Sequence, residues 1–152
     1  MSILEPRIVP VGEDLTKEDL RLSVLRGMEK MYRVDKAAAP GVSLSQGQWG
    51  MLQPDGKVVA TGATPTGPCF VVFSGNDRFD GKATGQVTLI MTSPVVIKSS
   101  VYDTVPSYVV GDMLTVKSGK VTKHTGTLPR YGRVLEANSG AGYLVYETLA
   151  GV

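Results

Sequence analysis

The sequence predicts a mainly β fold: a small Gly-rich β-barrel or sandwich of short antiparallel strands, preceded by an extended arm and one amphipathic helix. Glycine supplies 18 of 152 residues, against a background of roughly 7%, and without a collagen-like period this excess indicates many tight turns. From about residue 44 onward, short apolar or alternating runs are separated by turn residues such as Pro54-Asp55-Gly56. The length suits one domain that needs neither disulfide nor metal to fold.

Residues 1–15 are predicted to form an extended N-terminal arm. Pro6 and Pro10 restrict themselves and the residues before them to extended geometry, which disfavours a helix. The arm has no hairpin partner nearby, so its apolar side chains must rest on another surface. We therefore expect it to contact another protein surface through Ile3, Leu4, Pro6, Ile8, Val9, Pro10 and Val11.

Residues 16–36 are predicted to form an amphipathic helix. Thr16 and Asp19 have the spacing of a capping box. An apolar stripe follows at helical spacing, comprising Leu20, Val24, Met28, Met31 and Tyr32. The stripe packs either on the domain's own sheet or on a partner, and in the second case Met28, Met31 and Tyr32 are secondary interface candidates.

Residues 44–152 are predicted to form the β domain. The expected strands are Gln48–Gln53, Lys57–Thr61, Cys69–Ser74, Gln86–Thr92, Val95–Ser100, Met113–Lys117, Lys120–His124, Tyr131–Ala137 and Tyr143–Leu149. Similar motifs recur in the same order in residues 51–92 and 113–148, among them Gly56-Lys57-Val58 and Gly119-Lys120-Val121. The sequence therefore suggests an internal duplication, although chance similarity is an equal alternative.

The composition excludes several kinds of site. One cysteine, Cys69, and one histidine, His124, allow neither an intrachain disulfide nor a multi-Cys or multi-His metal centre. The net charge of +2 suggests no bulk attraction to nucleic acid or membrane. No apolar run reaches the ~18 residues of a membrane span, and the N-terminal residues lack a signal-peptide pattern, so synthesis in a cytoplasm is expected. No cofactor or metal is predicted.

No motif indicates an enzyme. A Ser-His-Asp triad is not excluded by residue counts, but no Gly-x-Ser-x-Gly elbow is present. Cys69 opens an apolar strand, which favours a buried structural thiol. Asp77 and Asp80 are interpreted as residues of a polar hairpin loop. Five cations between Asp112 and Glu136 fit a solvated hairpin better than a nucleic-acid contact. They are Lys117, Lys120, Lys123, Arg130 and Arg133.

A pattern of turns and short strands runs through the last third of the chain. It comprises Val109-Val110-Gly111-Asp112-Met113-Leu114-Thr115-Val116, Ser118-Gly119-Lys120-Val121, Tyr131-Gly132-Arg133-Val134-Leu135-Glu136 and Gly142-Tyr143-Leu144-Val145-Tyr146. This pattern resembles the β-barrel repeat of tailed-bacteriophage head decoration (cement) proteins. The segment from Ser74 to Asp80, followed by Val87–Met91, also resembles part of phage structural proteins. The resemblance covers about residues 45 to 149 and leaves the arm and helix outside.

The resemblance implies a non-enzymatic role on a virion. Such proteins bind the outside of an expanded shell of major capsid protein and bridge neighbouring capsomers. The resemblance therefore implies that the apolar residues of the arm contact a capsid or another subunit. A homo-oligomer, trimer or dimer, without direct nucleic-acid contact is expected, located on the capsid surface. Two alternatives stay open: a tail or baseplate component that assembles into rings, or a small binding module that recognises sugar or peptide through Trp49, Tyr102 and Tyr108.

Overall fold

Two antiparallel sheets make up the part of the chain that the computed structural model describes, residues 21–27, 31–76 and 85–149. The strands are β1 (Ser23–Arg26), β2 (Arg33–Ala37), β3 (Trp49–Leu52), β4 (Val58–Ala60), β5 (Cys69–Ser74), β6 (Gln86–Ile90), β7 (Val96–Ser99), β8 (Met113–Lys117), β9 (Lys120–Lys123), β10 (Gly132–Asn138) and β11 (Tyr143–Thr148). One sheet has the order β1-β7-β11-β10-β8-β9 and the other β2-β6-β5-β3-β4. The mainly β prediction is confirmed, and strands β3 to β11 correspond one by one to the nine predicted. Neither sheet closes into a barrel over these residues.

The two sheets repeat one connectivity. Among β2–β6, counted as first to fifth, the second and third strands (β3 and β4) form a hairpin, and the second also pairs with the fourth (β5). The fourth strand then pairs with the fifth (β6), and the fifth pairs with the first (β2). Strands β7–β11 follow the same scheme. The segment after the first strand makes an isolated parallel bridge to the third, Ala38 with Val58 in one case and Tyr102 with Val121 in the other. We call β2–β6 the first repeat and β7–β11 the second repeat.

Local irregularities recur at the same places. A bulge interrupts the pairing of the fourth and fifth strands after Val72 in the first repeat and after Val134 in the second. Of the similar sequence motifs, the two Gly-Lys-Val segments occupy equivalent positions in these registers. The Met-Leu pairs do not, because the pairing registers align Trp49 with Met113. The structural alignment is therefore shifted by two residues from the sequence motifs at the Met-Leu pairs. An internal duplication of the sequence stays a prediction.

The main apolar cluster lies between the sheets. It combines Trp49, Val71 and Ile90 from the first repeat with Leu114 and Tyr146 from the second. Fully burying one such side chain stabilises the fold by about 1.5–3 kcal/mol. Because both sheets contribute, this cluster holds the repeats together face to face.

A second cluster fills the other face of the first repeat. Its members include Val58, Val72 and Leu89, and the loop before β3 covers them with Leu44. Asn76, which is completely buried, fixes that loop: its Oδ1 accepts from the Leu44 N–H and its Nδ2 donates to the Val42 carbonyl, both at 2.8 Å.

The helix predicted over 16–36 is wrong wherever the structure describes that segment. Strand β1 lies at the edge of the six-stranded sheet and β2 at the edge of the other. Gly27 lies between them with φ +91°, and an added Cβ would come within 3.0 Å of a Val95 methyl. That geometry is incompatible with a helix. Ladder hydrogen bonds to β7 and β6 therefore outweigh the local helical spacing.

Candidate functional site

A tight turn from Val109 to Asp112 presents valines to solvent at the start of β8. The Asp112 N–H donates to the Val109 carbonyl at 3.1 Å, and the Val109 N–H donates back to Asp112 Oδ2 at 2.9 Å. Gly111 has φ +95°, a conformation that favours glycine. The accepted N–H lowers the pKa of the Asp112 carboxyl, with Lys123 adding to the effect. We call Val109–Asp112 the valine turn.

The first repeat contains the same turn with polar residues. The Gln48 N–H donates to the Ser45 carbonyl at 3.1 Å, the Ser45 N–H donates to Gln48 Oε1 at 2.8 Å, and Gly47 has φ +89°. Ser45 and Gln46 thus stand where the second repeat has Val109 and Val110. The backbone conformation therefore does not require valines at these positions.

Four of the exposed apolar side chains belong to the loop that ends in the valine turn and to β10, the strand that this turn contacts. Val105 is 90% exposed, Val109 63% and Val110 70%, and Leu135 at the bulge of β10 is 37% exposed. The valine turn donates a backbone hydrogen bond to β10 one residue before Leu135. We call Val105, Val109, Val110 and Leu135 the apolar patch. Exposed apolar side chains that cluster on a protein surface are typical of protein interaction sites.

Hydrogen bonds hold the valine turn against β10. The Gly111 N–H donates to the Val134 carbonyl at 2.9 Å, and the Val134 N–H donates to the Asp112 carbonyl at 2.8 Å. Lys123 Nζ lies 3.4 Å from Asp112 Oδ2 and donates to the Ser107 carbonyl at 3.2 Å. Because these bonds already fix the loop, a partner that binds the patch does not have to order it, and the entropic cost of binding is lower.

Asp103 organises the base of the same loop. Its Oδ1 accepts from the Val105 N–H at 3.1 Å, and its Oδ2 accepts from Thr122 Oγ1 at 2.9 Å. The Tyr108 hydroxyl donates to the Asp103 carbonyl at 2.6 Å, and its ring stands edge-on to Tyr102 with centroids 5.7 Å apart. Burial raises the pKa of Tyr108 to about 12. This loop is thus anchored at both ends.

A cleft of about 520 Å³ opens where the two sheets meet, and its lining includes Trp49, Cys69 and Tyr131. Trp49 is buried, and its ring lies 5.7 Å from that of Tyr131. Burial raises the pKa of the Cys69 thiol, so the group is neutral and poorly nucleophilic at neutral pH. Trp49 and Tyr102, two of the three aromatics considered for ligand stacking, are buried core residues.

His124 and two of the cations that the sequence analysis singles out have structural partners nearby. His124 Nε2 lies 2.7 Å from the Leu128 carbonyl. Of the five cations noted in the sequence, Lys123 pairs with Asp112 and Arg133 with Glu147. Across the described residues, no group of three or more His, Cys, Asp or Glu side chains could hold a metal ion. In those same ranges no helix is long and apolar enough to cross a bilayer.

The structure describes only two of the contact residues that the sequence predicts, Met31 and Tyr32. Ile3, Leu4, Pro6, Ile8, Val9, Pro10, Val11 and Met28 lie outside the described residues. Met31 is partly buried against the main cluster, whereas Tyr32 is 63% exposed at the start of β2. The sequence analysis does not predict the apolar patch as a site, because Val109-Val110 enters it only as part of the motif of turns and strands that carries the family resemblance. Comparisons of the chain with protein-family models, curated proteins and solved structures found no match.

Proposed function

We propose that the protein is a non-enzymatic structural protein of a tailed-phage virion. It decorates the outside of the capsid shell, binds the major capsid protein and bridges neighbouring capsomers. The resemblance of residues 45 to 149 to head decoration proteins motivates this assignment. The apolar patch carries it, since three strongly exposed valines on an ordered loop favour a protein partner.

The comparison between the two repeats sharpens the argument. Two turns share backbone conformation, cap and glycine, yet only one displays valines. Neither the fold nor the turn demands apolar side chains at 109 and 110, and their exposure in a free protein is unfavourable for solubility. A partner that covers them accounts for their presence. Many copies on one shell would make a modest contact effective through avidity.

A binding experiment with capsids tests the proposal. Expanded phage heads, assembled from major capsid protein and free of other proteins, are mixed with the purified protein, sedimented and imaged. The test variant is Val109→Ser/Val110→Gln, which installs the residues of the polar turn. The control is Leu25→Ser, which alters a residue 51% exposed on β1, at the opposite edge of the same sheet.

The wild type and Leu25→Ser are expected to fill the heads, and the double variant to lose affinity at least about tenfold. Equal occupancy by the double variant would overturn the role of the patch. Wild-type protein that leaves heads bare and joins isolated tails would overturn decoration and favour the tail alternative.

A further inference from the structure

The two repeats differ at one edge. In the second repeat, the first strand β7 is covered by β1, which pairs with it antiparallel through Ser23 opposite Lys98, Val24 opposite Ile97 and Arg26 opposite Val96. In the first repeat, the corresponding strand is β2, and it ends its sheet with no further strand in the described part of the chain. The same architecture thus has one occupied and one open edge.

The outward backbone groups of β2 follow from the register. The Met91 N–H donates to the Tyr32 carbonyl and the Ala38 N–H to the Gly85 carbonyl, at 2.8 and 2.9 Å. Antiparallel pairing alternates, so Tyr32, Val34, Lys36 and Ala38 bond to β6. The N–H and C=O groups of Arg33 and Asp35 therefore point away from the sheet, where an added strand would meet them. Beyond Asp35, the bridge between Ala38 and Val58 occupies the same edge.

We propose that the β2 edge binds residues 2–5 of a second copy of this protein as an added antiparallel strand. The N-terminal Ser2-Ile3-Leu4-Glu5 repeats the pattern of β1, Ser23-Val24-Leu25-Arg26: serine, β-branched residue, leucine, charged residue. Pro6 follows directly and, lacking an N–H, ends such a ladder after four residues. The twenty residues before Arg21 give the segment enough chain to reach a neighbour.

The side chains complement each other in this register. Transferring the pairing of β1 with β7 to the first repeat sets Ser2 opposite Asp35, Ile3 opposite Val34 and Glu5 opposite Arg33. The last pair joins opposite charges, where β1 has only Arg26 opposite Val96. Favourable cross-strand pairs each contribute about 0.2–1 kcal/mol, so the charge pair fixes register more than it adds affinity. This proposal extends the decoration role by naming a link between subunits.

The test measures the mass of the full chain in solution by light scattering over a range of concentrations. Asp35→Pro removes an outward N–H and keeps the β6 hydrogen bonds of Val34 and Lys36. Its matched control, Asp35→Ala, loses the same carboxylate bond to Thr88 Oγ1 and retains the N–H. Thermal melts check that both variants fold.

The wild type and Asp35→Ala are expected to associate, and Asp35→Pro to dissociate with a dissociation constant raised at least about tenfold. In the N-terminal segment, Glu5→Arg is expected to weaken association, and the charge-swapped double variant Glu5→Arg/Arg33→Glu is expected to restore it. This pair of variants tests the proposal even if Asp35→Pro fails to fold. A wild type that is monomeric throughout, or an unchanged mass for Glu5→Arg, would overturn the proposal. If the protein is monomeric but still binds heads, the proposed link between subunits is wrong and the decoration role stands. If it forms oligomers but does not bind heads, the decoration role is wrong.

Discussion

The indole N–H of Trp49 donates to the hydroxyl oxygen of Tyr146 at 3.2 Å, and this bond joins the first repeat to the second. Both side chains are fully buried in the main cluster, with ring centroids 6.5 Å apart. The bond therefore satisfies two polar groups that have no access to water. Burial also raises the pKa of Tyr146, so its hydroxyl keeps the proton at all ordinary pH values.

Removing this bond should destabilise the protein measurably. Tyr146→Phe leaves the Trp49 N–H buried without an acceptor, which costs about 1–3 kcal/mol. The control is Tyr143→Phe, because the hydroxyl of Tyr143 accepts from Asn138 Nδ2 at 3.3 Å in a partly exposed hairpin. Its effect should stay within about 0.5 kcal/mol. Urea denaturation of both variants measures the difference, and equal free energies of unfolding would contradict it.

Asn76 should be critical for the second cluster. Asn76→Ala leaves the Leu44 N–H and the Val42 carbonyl without their partner and frees the loop that covers that cluster, an expected loss of about 2–4 kcal/mol. Asn138→Ala provides the control, since both bonds of the Asn138 side chain, to the Ala141 N–H and to the Tyr143 hydroxyl, lie within one partly exposed hairpin. Chemical denaturation would disprove the argument if both alanine variants lost equal stability.

The strands from β3 onward were predictable from the sequence because their signals are local. Cys69–Ser74 is almost continuously apolar, and Ser118-Gly119 between two alternating runs specifies a two-residue hairpin turn. The turn forms with Ser118 at φ 51° and Gly119 at φ 81°, as such a hairpin requires. Local chemistry thus places these elements without knowledge of their partners.

The first two strands and the apolar patch depend on distant residues. Val24 and Met31 have helical spacing, but β1 pairs with β7 and β2 with β6, partners that lie about fifty or more positions along the chain. Such pairings leave no local signature, although Gly27 within the predicted helix was a usable warning. The exposure of the valines depends on the three-dimensional structure. The equivalence of Val109 and Ser45 follows only from the strand registers, which the sequence does not show.

Acid should loosen the valine turn. The folded-state pKa of Asp112 is lowered, so its contribution to stability is complete above the usual value of 3.8 and is lost as the pH falls through the lower folded value. Asp112→Asn keeps an acceptor for the Val109 N–H but removes the titration and weakens the contact with Lys123. The variant should therefore show a flatter loss of stability as the pH falls below 3.8.

Unfolding free energies across that pH range test this expectation. Asp55→Asn is the control, because Asp55 accepts the Lys57 N–H in an exposed turn of the first repeat. An acid limb that is identical in the wild type and Asp112→Asn would contradict the assigned role of the carboxylate.

Cys69 should resist alkylation in the folded protein. Its thiol is buried, its pKa is raised by that burial, and its Sγ lies 3.4 Å from the Gly67 carbonyl. Only the thiolate reacts rapidly, so iodoacetamide labelling near neutral pH should be at least about tenfold slower than in denaturant. Mass spectrometry follows the reaction, with the urea-unfolded chain as control. Equally fast labelling of the folded chain would show that the cleft exposes the sulfur.

Gly47 and Gly111 offer a matched pair for the contact between β1 and the first repeat. Both occupy the same turn position with positive φ, and alanine there costs about 1 kcal/mol from backbone strain alone. An added Cβ at Gly111 meets open space, whereas at Gly47 it would clash with the carbonyl oxygen of Arg21. That carbonyl accepts a hydrogen bond from the Oγ of Ser99, the last residue of β7.

Gly47→Ala should therefore lose more stability than Gly111→Ala and should also displace the start of β1. Denaturation measures the first effect, and hydrogen exchange at the β1 amides measures the second. In Gly111→Ala those amides should keep their protection, because Gly111 bonds to β10, and β11 and β7 lie between that strand and β1. Equal stability losses, with β1 protected in both variants, would mean that the segment at Arg21 is not held against the polar turn.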